Sequence, residues 1–183
     1  MTELNPLDFS EIDPGLQAQL QPTVDRLGYF GAFFRYAAHA PQVLSSFMAM
    51  SGALKAALPD DINETLALTI CSAMDFPYER IQHERLSLKL GFDRDWIALM
   101  VGRPSPVSPT PSQQAARAMG LALAEGRHGA AGEEAERLAG LSSPATAVAA
   151  LFQATRFMQV CHVGRTLDMR LALPSIFDLT DDR

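Results

Sequence analysis

Residues Glu64–His83 read ETLALTICSAMDFPYERIQH, and between Thr65 and Met74 there is no charge. Strict alternation is missing, so the period is helical rather than extended. On such a helix Ile62, Leu66, Ile70, Ala73 and Met74 line one side, and Leu68 and Cys71 the other. A helix apolar on both sides belongs inside a protein. Pro77 stands where a first helical turn tolerates proline, which opens a second helix running to Leu90. Gly91 then supplies a left-handed stop. So short a connection makes the two helices near-antiparallel neighbours. Glu64 stands at the mouth of the first, and Glu79 and His83 share a face of the second.

Outward from this pair the chain is helical almost throughout, with few β-branched runs. Asp13-Pro14 marks a helix start, and Pro22 is expected to bend or break that helix. The aromatic run YFGAFFRYAAHA, Tyr29 to Ala40, suits a core or a subunit interface, with a pocket lid as the alternative. Pro41 opens another helix, Pro59 ends it, and Asp60 or Asp61 is expected to cap the Glu64 helix. Asp93 caps a short helix anchored by Trp96. RPSPVSPTPS, residues 103–112, carries Pro104, Pro106, Pro109 and Pro111 and reads as an extended connector. Beyond it the pattern predicts a helix over Ser112 to Glu125 and a Gly/Ala loop around His128. A short acidic helix and a long one from Pro144 complete the chain. The last is expected to reach Leu173, with Gly164 as its weak point. The organisation expected is one all-α domain over 1–183, with helices in 1–102 and 113–183 on either side of the connector.

With 183 residues, 48% hydrophobic and 20% charged, the chain has material for a substantial core. A net charge of −6 and no basic stripe argue against a nucleic-acid partner. No apolar run is long enough to span a bilayer. The polar start MTELNPLDFSEIDPG has neither the basic nor the apolar region of a signal peptide. Two distant cysteines, Cys71 and Cys161, argue against a disulfide framework and for a reducing, cytoplasmic home. The four histidines are scattered without carboxylates at ligand spacing, so neither metal nor cofactor is expected.

Glu64, Glu79 and His83 admit two readings. A carboxylate bonded to one ring nitrogen fixes the histidine tautomer and raises its basicity, which suits a proton relay. The structural alternative makes Asp61 and Glu64 a capping box, sets Glu79 in a favourable first turn, and leaves His83 as a hydrogen-bonded core residue. Helix geometry alone does not bring Glu64 to His83, because Glu64 lies well back along its helix from the turn.

Glu64, then YERIQH with His83 nineteen positions on, resembles the carboxymuconolactone decarboxylase and alkylhydroperoxidase D-like (AhpD-like) superfamily. The likeness is best over Ala56 to Met100, including HERLSLKLGFDRDWIALM. It implies an all-α, AhpD-like helical bundle that is usually a homo-oligomer. Peroxidase-type members place a Cys-x-x-Cys pair seven and four positions before the histidine. Here those positions are Phe76 and Glu79. Cys71 lies five residues too early, with no thiol three residues on. A dithiol cycle needs a resolving thiol, so the resemblance points to the decarboxylase-like branch. There His83 would transfer the proton, Glu64 would orient or relay, and Tyr78 or Glu79 would line the pocket of a small carbonyl or lactone substrate. Peroxidase chemistry through Cys71, and a non-catalytic oligomer on the same scaffold, are the alternatives.

An anionic substrate would call for a cation. Arg80 and Arg85 point away from the His83 face, and Arg80 with Glu84 is expected to be an ordinary surface pair. Arg35 and Arg156 are the candidates from other helices. Cys161 and His162, adjacent on one helix, are poorly placed to act together.

Overall fold

The computed structural model describes residues 4–178, and among these there is no strand. The elements are a 3-10 turn, Phe9–Glu11, and helices α1 Pro14–Leu27, α2 Ala32–Ala37, α3 Pro41–Ala57, α4 Asp60–Ala73 and α5 Pro77–Lys89. They continue with α6 Arg94–Met100, α7 Pro111–Ala124, α8 His128–Leu141 and α9 Pro144–Thr166. Two compact units divide between Ala53 and Leu54, a point within α3.

The first unit has its own core. Ile12, Leu16, Leu20, Ala38 and Leu44 are buried, with Phe9, Phe30, Phe33, Phe34 and Phe47 packed against them. The phenylalanines of the aromatic run thus lie half-buried against this core, joined by edge-on pairs such as Phe9 with Phe30. The Asp13 side chain accepts from the backbone N–H groups of Gly15 and Leu16 and caps α1. Pro22 neither breaks nor ends α1, contrary to expectation. It is exposed, so water can take up the carbonyl its ring leaves unbonded. Arg35 is engaged within this unit, donating to the Asp8 carboxylate at 2.7 Å and the Leu7 carbonyl at 2.9 Å.

The second unit is built around α4, which packs on α5, α7 and α9. Every residue from Ile62 to Cys71 is buried, as a helix apolar on both sides requires. Gly120 lets α7 come close, since a Cβ there would stand 3.3 Å from Ile70. A separate cluster joins Leu68 to Trp96, Ile97, Met100 and Ile176. The proline-rich connector lies within this unit.

Several local expectations need correcting. The N-cap of α4 is Pro59, with no side-chain cap. Asp61 instead accepts from the Gln113 amide at 2.9 Å. His128 opens α8 rather than sitting in a loop; only Glu125, Gly126, at φ +73°, and Arg127 separate α7 from α8. The last helix stops at Thr166, short of Leu173. Gly164 is a close-approach position, not a weak point. A Cβ there would lie 2.1 Å from the Phe76 ring.

Candidate functional site

α4, α5 and α9 place the candidate residues. The buried stripe of α5 is Tyr78, Ile81, Glu84 and Ser87. Glu79 and His83 sit at its margin, with 16% and 12% of their side-chain surfaces open. From there the His83 ring reaches Glu64. Nδ1 lies 2.8 Å from Glu64 Oε2, and Ser87, one turn further along α5, donates its hydroxyl to the same oxygen at 3.1 Å. The other Glu64 oxygen accepts from the Asn63 amide at 2.9 Å. Glu64 therefore spends its acceptors inside the protein, and the capping-box alternative does not describe it. On the far side of the ring, Nε2 faces Glu79 Oε1 at 3.6 Å. Phe157 of α9 meets the imidazole edge-on at 5.1 Å between centroids.

The network continues into α9. Gln153 donates to the Asn63 side-chain Oδ1, and Arg156 Nε donates to Gln153 Oε1 at 3.0 Å. The Arg156 guanidinium also covers the Phe157 ring at 4.3 Å. Of the arginines considered, Arg156 is the one that joins this cluster. Burial pulls its pKa down, against the opposing attraction of Glu79.

These contacts set the charges. Burial acts to lower the His83 pKa, but the attraction and hydrogen bond of Glu64, with Glu79 adding, push it up to about 10. Burial acts to raise Glu64, yet His83 and its hydrogen-bond donors hold it below its ordinary value. At neutral pH the pair is an imidazolium on a carboxylate. Since Nδ1 is committed to Glu64, Nε2 is the nitrogen left for exchange with a ligand.

Glu64, Glu79 and His83 are thus together, while Tyr78 lines a cavity that His83 does not. The Tyr78 ring packs on Phe76, and the cavity, of about 390 Å³, is also lined by Ile81, Gly164 and Arg165. Another cavity, of about 450 Å³, is lined by Arg94, Arg103 and Phe177. His83 lines neither. Arg80 and Glu84 do not form a surface pair, because Glu84 is fully buried. Besides Arg80 at 2.5 Å, Glu84 accepts from the Ser175 hydroxyl and the Ile176 N–H. No thiol stands three residues after Cys71, but the fold brings one from α9: Cys161 Sγ lies 3.7 Å from Cys71 Sγ.

Ser87 was legible in principle, four residues after His83 on one helical face. Asn63 and Gln153 carried a weaker signal, as amides within otherwise apolar helices. Among the described residues no group of His, Cys, Asp and Glu could hold a metal ion.

The arrangement of helices matches a solved structure. The crystal structure of the alkylhydroperoxidase AhpD core of an uncharacterized peroxidase-related protein from Ralstonia eutropha JMP134 superposes with a TM-score of 0.76. The match covers 93% of each chain at 16% sequence identity. This chain has the AhpD-like fold. At that identity the likeness speaks for the AhpD-like fold alone. No family model matches the sequence, and no curated protein matches it. No described helix of this AhpD-like chain is long and apolar enough to cross a membrane.

Proposed function

We propose that this chain is a carboxymuconolactone decarboxylase-like enzyme that delivers a proton, without a cofactor, to a small carbonyl or lactone substrate. The observation that carries the reading is the clamped imidazole. Glu64 holds Nδ1 at 2.8 Å, while Nε2 has only the longer 3.6 Å approach of Glu79. A substrate oxygen or carbanion entering beside Glu79 would meet a protonated Nε2. A donor held near pKa 10 gives its proton only to a strong base formed during reaction, such as an enolate. Glu64 and Ser87 position the ring, and Arg156 supplies positive charge beside Glu79 for an anionic substrate. The reading includes a homo-oligomer, which the family resemblance implies, in the cytoplasmic setting that the two distant cysteines suggest.

Two observations favour other readings. His83 lines neither cavity described above, which suits a non-catalytic scaffold. Cys71 touches a second thiol, which suits hydroperoxide reduction. Against the latter, burial first, and then the hydrogen bond with Cys161, raise the Cys71 pKa well above its usual value. So little thiolate makes a poor nucleophile for turnover.

The test is deuterium incorporation from heavy water, and decarboxylation, across small β-keto acids and unsaturated lactones. Turnover by the wild-type chain should fall roughly 10²–10⁴-fold in His83→Gln, the usual worth of a positioned proton donor. Equal rates in the two proteins, with the variant folded, would remove the enzyme reading and leave the scaffold.

A further inference from the structure

The proton chemistry does not use the two thiols at the α4–α9 contact. Cys71 and Cys161 are both reduced and fully buried, and their sulfurs lie 3.7 Å apart although the residues are 90 positions apart in the chain. A disulfide bond is about 2.05 Å long, so closure needs less than about 2 Å of combined sulfur movement. Each thiol is the other's hydrogen-bonding neighbour. We propose that Cys71 and Cys161 are an oxidisable pair that closes to an intramolecular disulfide, stapling α4 to α9 beside the Glu64–His83 cluster.

The co-reactant that fits is a small hydroperoxide, since burial shuts out bulky disulfides. One thiol loses its proton and attacks the terminal peroxide oxygen. The O–O bond breaks, an S–O bond forms, and an alcohol leaves, or water when the oxidant is hydrogen peroxide. The second sulfur then attacks the resulting sulfenic sulfur. The S–S bond forms, the S–O bond breaks, and the hydroxyl departs as water with the second thiol's proton. Two electrons pass from the thiols to the peroxide, and a small dithiol reverses the change by exchange. The first step is slow, because burial disfavours the thiolate. The second is fast, because the partner is already in contact. The pair thus acts as a stoichiometric modification site, not a turnover centre. It lies where it can influence the imidazole: α4 carries Glu64, α9 carries Phe157 against the His83 ring, and Glu79 and Arg156 are within electrostatic reach of Cys71. The inference stands whether or not His83 is catalytic.

The experiment treats the reduced full-length chain with hydrogen peroxide and follows intact mass, free thiols and chain size on a non-reducing gel. The expected result is a monomer-sized chain lighter by about 2 Da, the two thiol hydrogens. It should have no titratable thiol and a raised unfolding temperature, all reversed by dithiothreitol. Cys71→Ala and Cys161→Ala should each abolish the mass loss. Should either variant fail to fold, peptide mapping of the oxidised wild-type chain for a 71–161 cross-link decides instead. Three results would overturn the proposal. Both thiols could stay reduced at a peroxide dose that oxidises the urea-unfolded chain, the mass could rise by added oxygen without a cross-link, or the disulfide could join two chains.

Discussion

The Glu64 carboxylate and the His83 imidazole set each other's charge, and this couples stability to pH. The folded pKa of His83, about 10, lies above its ordinary 6.5. Its contribution is therefore full below pH 6.5 and lost as pH rises through about 10. Glu64 is shifted the other way, below its ordinary 4.5. Its contribution is present above pH 4.5 and lost as pH falls through its lowered folded value. The two describe one ion pair and are not additive. Urea midpoints should thus be highest between pH 4.5 and 6.5 and decline toward pH 10, by on the order of a few kcal/mol. Glu64→Gln should flatten the alkaline decline, and a variant that keeps the wild-type slope would break the assignment. The imidazole ¹⁵N shifts in the wild-type chain should report a protonated ring at pH 8. Gly164 offers a second test at this scale. Alanine there gains about 1 kcal/mol in helix propensity. Its methyl would also stand 2.1 Å from the Phe76 ring, and overpacking costs typically 1–3 kcal/mol. Gly164→Ala should therefore lower the thermal midpoint, and Phe76→Leu should restore part of the loss.

Among the elements, α4 carries the most information because its whole middle is buried. Ten consecutive buried residues leave it no solvent face, so its end groups must find partners in other helices. That is why Glu64, near its N-terminus, turns to α5 instead of capping its own helix. Helix α9 shows the opposite economy. Ser143 accepts from the Thr146 backbone N–H at 3.0 Å, and Pro144 comes next, at the first helical position. Removing that oxygen by Ser143→Ala should cost about 1 kcal/mol, measured by denaturant unfolding. Activity through His83 should be less affected than stability, since Gln153 and Phe157 lie more than two turns further along. The α7–α8 junction shows how composition misleads. GRHGAAG looks like a loop, yet Ala131, Ala135 and Leu138 form a buried stripe at helical spacing. That burial outweighs the low helix propensity of the glycines.

Across the molecule, the last described residues are tied to α5 and α6 through a buried charge. Glu84 accepts from Arg80, the Ser175 hydroxyl and the Ile176 N–H, and Ile176 enters the Trp96 cluster. Arg85 and Arg94 add bonds to the Pro174 and Ile176 carbonyls. Breaking a buried pair by removing one partner costs about 3–5 kcal/mol. Glu84→Ala should lose that much stability and open residues 170–178 to limited proteolysis, whereas Glu84→Gln should keep the segment better protected. Equal cleavage of wild type and Glu84→Ala would show that the carboxylate does not hold this end of the chain. The features readable from the residues alone were local: the helical period, proline and glycine at helix ends, the caps at Asp13 and Asp93, and the all-round apolarity of α4. Each is decided within a turn or two of backbone, so a linear string carries it. The 2.8 Å meeting of Glu64 with His83 spans nineteen positions, and the buried role of Glu84 and the Cys71–Cys161 contact span about ninety. Those depend on how helices already formed press together, and packing is set by the shapes of surfaces distant in the chain. Only the tertiary structure could decide which acid met the imidazole, and which thiol met its pair.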